Sequence, residues 1–237
     1  MPIRQLVPRF IRRRLRAVVE LSSEAYLAFI RDLDGEVGAR MRHAYYRKRL
    51  RGLGPNARID TGVSMTGLEW ISIGDHTHID KGCYLVACGP GLDLSKRALL
   101  QVPNRAIDVA KGELIIGEHC HIAPASQIHA HGGVRIGDHC ALATGTKIFS
   151  LTSLPYNPFN PRQITTVTPF DGISPSMIGP IELGRNVMMG IGVCVLPGVR
   201  IGSDSFVRTN SVVLQSFPDN SSIAGDPAEF KKKRFRV

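Results

Sequence analysis

The strongest pattern in the chain is an aliphatic residue at every sixth position. From Leu183 these are Leu183, Met189, Val195, Ile201, Val207 and Val213. Four residues after each comes a second inward position, held by Val187, Val193, Val199, Ser205, Ser211 and Phe217, small or β-branched in all but the last. A helix would place apolar residues at i, i+3, i+4 and i+7, and a half-buried strand would alternate with period two. A period of six with one aliphatic and one small inward residue predicts instead a parallel β-helix. Three short faces make one coil, and each coil stacks on the last.

The same pattern recurs upstream. A glycine follows the first aliphatic of a coil in Ile73-Gly74, Ile116-Gly117, Ile136-Gly137, Leu183-Gly184 and Ile201-Gly202, and another aliphatic sits two residues before each start, at Ile71, Leu114, Val134, Ile181 and Val199. The step from 183 to 201 is 18 residues, one coil with nothing inserted, and the step from 116 to 136 is 20. The 47 residues from 136 to 183 require a large loop. The 43 from 73 to 116 fit two coils plus seven residues, so residues 86–113 are read as an irregular stretch in which Val102, Ile107 and Val109 supply part of a distorted coil. Residues 8–33 and Glu36 to Arg51 carry helical apolar stripes (Phe10, Leu15, Val18, Leu27 and Ile30; Met41, Ala44, Tyr45 and Leu50). The chain divides into a basic helical extension (1–54), a solenoid (55–228) interrupted at 154–182, and a basic tail (229–237).

Together with Ile223-Ala224-Gly225-Asp226-Pro227-Ala228 and the basic run Lys231 to Arg234, these hexads resemble the hexapeptide-repeat acyltransferases, most nearly the branch that O-acetylates sugars and surface polysaccharides. The resemblance covers residues 55–234. It implies an all-β fold: a left-handed parallel β-helix with an N-terminal α-helical extension and a long loop insertion. It also implies acetyl-CoA as acyl donor with no metal, a saccharide acceptor, and a homotrimer with the donor site between subunits.

Charge narrows the partners. The net +10 is concentrated at the ends: residues 1–52 hold 13 Lys and Arg against 5 acidic residues, residues 229–237 hold 5 against 1, and the body between them is at −2. A nucleic-acid groove needs positive charge on the body, so nucleic acid is not expected. The helices are expected to cap the open end of the solenoid and, on another face, could rest on an anionic membrane surface through Arg12 to Arg16. Among five cysteines, Cys83, Cys120 and Cys140 fall at inward positions and read as packing residues rather than disulfide partners. With no secretory signal and no stretch of 18 uncharged apolar residues, the expected address is the cytoplasm, peripheral at the inner face of the membrane if the basic helices bind it.

Acyl transfer to a hydroxyl needs a general base, and imidazole titrates in the right range. In the family this base is a histidine 17 residues after a coil's first aliphatic; counting from Ile136 reaches Ser153, which would lie beside the acceptor without being a base. The resemblance places an acceptor-contacting side chain five residues before the coil start, here His131. His131, with His129 as second choice, is therefore the expected base. Met188 and Gly190 stand where the family shapes its acetyl-CoA site, and Lys231 and Lys232 could meet CoA phosphates. Tyr156 and Arg162, in an insertion holding six prolines, are suited to gripping a sugar. His76, His119 and His139 share one coil position and His78 and His121 another, so both sets should form ladders. Such ladders could bind a metal, as in the γ-class carbonic anhydrases of this fold. A silent β-helix that binds saccharide or scaffolds a complex remains the alternative from another class.

Overall fold

In a computed structural model, residues 22–91, 93, 97–154 and 174–235 are described. The hexads form the three sides of a parallel β-helix. The first face stacks Gly52–Leu53, Ile71–Ile73, Leu114–Ile116, Val134–Ile136, Ile181–Leu183 and Arg200–Ile201. The second stacks Arg58–Ile59, His78–Ile79, His121–Ile122, Ala141–Leu142, Met188–Met189 and Phe206–Val207, then Ser221–Gly225. The third stacks Ser64–Thr66, Tyr84–Val86, Gln127–His129, Lys147–Phe149, Cys194–Val195 and Val212–Val213.

Register is exact from coil to coil, so Val134, Arg135 and Ile136 lie between Leu114, Ile115 and Ile116 on one side and Ile181, Glu182 and Leu183 on the other. Every first-position aliphatic from Leu183 to Val213 is fully buried, and the second inward positions from Val187 to Phe217 are at most 5% exposed. The two serines among them are satisfied: Ser205 Oγ accepts from Ser221 N at 3.1 Å and Ser211 Oγ from Gly225 N at 3.1 Å. Coil spacing explains the recurrent glycine. A Cβ on Gly137 would stand 2.8 Å from the carbonyl carbon of Gly184 in the next coil, closer than backbones allow. At the first corner His76, His119 and His139 take positive φ of 52°, 53° and 59°, and Asn186, Asp204 and Asn220 continue the row. The three imidazoles stack at 4.9 and 5.0 Å, which is the ladder expected from their common coil position.

Residues 22–32 form a first helix, α1, and Gly35–Arg47 a second, α2, four residues shorter at its end than expected. Asp34 caps α2 by accepting from Gly35 N, while Glu36 in the first turn and Arg47 in the last suit the helix dipole. Ile30, Tyr45, Tyr46 and Leu50 join the solenoid's core cluster, so the described helices cap its open end. Arg42, 1% exposed, completes that cap. In the first coil Asp60 donates its N–H to Ile79 O, leaving the Ile59 carbonyl on the open side. Arg42 Nε donates to it at 2.9 Å, and Nη1 donates to Ile30 O and Leu33 O at 2.8 and 2.6 Å. Arg12 to Arg16 lie outside the described residues. No helix among the described residues is long and apolar enough to cross a membrane.

One expectation is corrected. Residues 87–113 contribute no coil, because Ile71–Ile73 pairs directly with Leu114–Ile116 and Tyr84–Val86 with Gln127–His129. Instead Arg97–Gln101 pairs in parallel with Ser174–Ile178, which runs antiparallel to Leu151–Ser153, giving a separate three-stranded sheet. The apolar residues of this stretch cover a corner: Val102 N donates to Ile178 O and Asn104 Nδ2 to Gly198 O. Within the basic tail a strand is described. Ala228–Lys233 turns back antiparallel on Ser221–Gly225 and occupies the strand edge that the last coil would leave open.

Candidate active site at the third corner

His129 ends the strand Gln127–His129 on the third face. Alternation turns Ile128 inward, fully buried, and His129 outward. The chain then crosses to the first face through a tight turn in which His131 precedes Gly132 and Gly133. Gly132 is required there, because a Cβ would meet the carbonyl oxygens of Gly179 and Ser150 at 2.5 and 2.8 Å. In the coils on either side the chain departs at this same corner, after Val86 and after Phe149. The histidine turn is thus flanked by the departures of both insertions.

Ser150 binds this turn together. Its Oγ donates to His129 O at 2.7 Å and accepts from Gly132 N at 2.8 Å, while its own carbonyl accepts from Gly179 N. Three rings surround the His129 imidazole: Phe149 at 4.7 Å and Tyr84 at 5.4 Å, both edge-on, and His131 at 5.9 Å. Among the described residues the buried Nε2 of His129 has no hydrogen-bond partner. Burial holds its pKa below the ordinary histidine value, so the ring is a neutral imidazole near neutral pH. A buried polar atom without a partner needs an explanation, and an arriving hydroxyl would provide one.

The other expected residues are placed as follows. Ser153 is exposed in Leu151–Ser153, opposite Ser176 on the strand that leads back to this corner. Tyr156 and Arg162 lie outside the described residues. Met188, 45% exposed, is on the second face between Ala141 and Phe206. Gly190 is buried beside the backbone of Thr209, whose nitrogen a Cβ would meet at 2.5 Å, so packing alone requires it. Lys231 pairs with Glu229 at 2.9 Å, and Lys232 lies opposite Ser222. Within one chain, therefore, His129 and His131 lie at the third corner and Ser153 at the far end of the strand that leaves it, while Met188, Gly190, Lys231 and Lys232 belong to the second face and its extension. Sequence reasoning missed Tyr84, Phe149 and Ser150. The solenoid period carried the signal, since Phe149 lies 20 residues after His129 and directly beside it.

The chain matches the model of the hexapeptide repeat of succinyl-transferase over residues 180–215. It is 30% identical over 132 residues to a galactoside O-acetyltransferase of Lactococcus lactis, covering 50% of this chain and 62% of that protein. It is 47% identical over 53 residues to a putative lipopolysaccharide biosynthesis O-acetyl transferase, WbbJ, of Escherichia coli, covering 23% of this chain and 28% of the relative. The chain thus spans less than two thirds of these relatives. Among solved structures it is similar in fold to a variant of AntD, an N-acyltransferase from Bacillus cereus in complex with dTDP and coenzyme A, at TM-score 0.63 and 20% identity over 82% of this chain and 90% of the other.

Proposed function

We propose that this chain, which belongs to the hexapeptide-repeat acyltransferases, moves an acetyl group from acetyl-CoA to a hydroxyl of a sugar or lipid-linked saccharide, with a histidine of the third corner as general base. The observation that carries the reading is the buried Nε2 of His129, which has no hydrogen-bond partner among the described residues, on a ring whose pKa burial lowers. That atom can take the acceptor's proton as the hydroxyl oxygen attacks the thioester carbonyl. The tetrahedral intermediate collapses, and the CoA thiolate leaves and takes the proton back from the imidazolium. His129 is preferred to His131 because Tyr84 and Phe149 pack edge-on against its ring and offer apolar surface to a sugar ring. His131 stays in the proposal as the neighbouring ring that orients the acceptor.

In this reading the coil is left-handed and the chain works as a homotrimer. What supports the trimer is the separation of Met188, Lys231 and Lys232 from the histidine corner within one chain, which a donor lying between subunits would bridge. Tyr156 and Arg162 would reach the acceptor from the insertion. The address in this reading is the cytoplasm, where acetyl-CoA is available. The names of the relatives support acyl transfer to sugars, and the coenzyme A bound to AntD supports a CoA thioester donor.

The test is incubation of the full chain with acetyl-CoA and a panel of free, nucleotide-linked and amino sugars, with the product identified by mass and by its lability to mild base. An O-acetyl ester supports the reading, and an amide would move the chemistry to nitrogen. No turnover, together with no acetyl-CoA binding by calorimetry, would leave a silent saccharide-binding β-helix.

A further inference from the structure

On the second face, away from the histidine corner, register brings together side chains that are far apart in sequence. His78 lies over Arg58 and under His121, and their imidazoles stack at 5.7 Å. Asp80 sits where the strand of His78 ends, and Asp60 holds the same place one coil earlier. His78 Nε2 is 3.0 Å from Asp60 Oδ2 and 3.2 Å from Asp80 Oδ1, and His121 Nε2 is 2.7 Å from Asp80 Oδ2. One ligand atom each from His78, Asp80 and His121 falls within 4.8 Å of the others. Both carboxylates are largely sheltered, at 13% and 18% exposed, while the histidines open outward at 36% and 53%.

We propose that His78, Asp80 and His121, with Asp60 as a fourth ligand, bind one divalent transition-metal ion of the zinc, cobalt or nickel type. Two imidazoles with one or two carboxylates suit these ions, whereas magnesium and calcium take oxygen ligands. Tetrahedral zinc with bonds of about 2.0–2.1 Å sets its ligands about 3.4 Å apart, so His78, Asp80 and His121, whose ligand atoms lie within 4.8 Å of one another, can reach one ion with small side-chain adjustments. The site is also supported from behind. Arg58 Nε donates to Asp60 Oδ1 at 2.9 Å, and Glu36 of α2 accepts from Arg58 Nη1 at 2.9 Å, which leaves Asp60 Oδ2 aimed at His78.

The ligands come from three successive coils, Asp60 from the first, His78 and Asp80 from the second and His121 from the third. A bound ion would staple together the capped end of the solenoid, with Arg58 tying it to α2. Acyl transfer needs no metal, so this site is independent of the proposed chemistry and survives even if that chemistry fails.

The test uses the untagged full chain, stripped with chelator and titrated by calorimetry with Zn²⁺, and with Mg²⁺ as control, while Co²⁺ absorption reports coordination geometry. The expected result is one Zn²⁺ per chain, a tetrahedral Co²⁺ spectrum, and a Tm raised by about 5 °C or more at 100-fold excess over Kd. His121→Gln and Asp80→Asn should each weaken binding at least about tenfold, with circular dichroism unchanged, while His139→Gln on the neighbouring ladder leaves it intact. Absence of Zn²⁺ binding at millimolar concentration, binding indifferent to both site variants, or equal loss in His139→Gln would overturn the proposal.

Discussion

Replacing Arg42 with Met would test how the solenoid's open end is closed. Methionine keeps much of the apolar stem and removes the guanidinium, which donates to Ile59 O, Ile30 O and Leu33 O from a position 1% exposed. Hydrogen bonds with a charged partner contribute about 1.5–3 kcal/mol each, so three of them set an upper range. Part of that is returned, because an uncharged side chain no longer has to be desolvated; the burial that depresses the Arg42 pKa is the sign of this cost. The carbonyl of Ile59, stranded at an edge with no earlier coil, gains nothing in return. We expect a net loss of about 3 kcal/mol. For a chain of this size that lowers Tm by about 6–12 °C, measured by circular dichroism on wild type, Arg42→Met and Arg42→Lys, with the lysine variant falling between. A Tm for Arg42→Met within 2 °C of wild type would show that the helices cap the barrel by apolar contact alone.

Because burial depresses the His129 pKa, the acidic limb of kcat/KM should lie below the free-histidine value of about 6.5. The same group contributes stability above about pH 6.5 that is lost as pH falls toward its folded pKa, since the unfolded chain there binds more protons; an acidic limb at or above 6.5 would contradict the buried setting. Gly137→Ala should cost about 2–3 kcal/mol, because its Cβ meets the Gly184 backbone. Gly145→Ala, at φ 69° with nothing within 4 Å, should cost only about 1 kcal/mol of backbone strain; equal urea midpoints for the two would refute the close approach of the coils. His139→Asn should stay within about 0.5 kcal/mol of wild type in urea, because Asn186 already occupies that row at φ 55°. His139→Val, which tolerates positive φ poorly, should lose about 1–2 kcal/mol.

The solenoid was legible in the sequence because its period is local and repeated: the residues chosen as inward, from Leu183 to Phe217, are buried. The ladder of His76, His119 and His139 followed from the same register. Residues 87–113 were harder. Val102, Ile107 and Val109 have the composition of a coil, but they cover a corner, and composition does not distinguish an apolar residue inside a barrel from one packed against it. In the sequence the Lys231 to Arg234 run shows only its charge, whereas in the fold the backbone of Lys231 to Lys233 closes a strand edge and the lysines face water. At the third corner the histidines stood out by type, whereas Tyr84, Phe149 and Ser150 are ordinary residues given meaning only by stacking coils. The cluster of Asp60, His78, Asp80 and His121 was half visible: the two histidines share a coil position, but nothing in the spacing says that their nitrogens converge on two carboxylates.

The measurement that bears most directly on the central claim is steady-state CoA release from acetyl-CoA, with the best acceptor, by wild type, His129→Ala and His131→Ala, beside acetyl-CoA binding by calorimetry. The account predicts a fall of at least about 100-fold in kcat for His129→Ala, a smaller loss appearing mainly in acceptor KM for His131→Ala, and unchanged donor affinity in both. Near wild-type turnover in His129→Ala would contradict it and place the base elsewhere in the molecule.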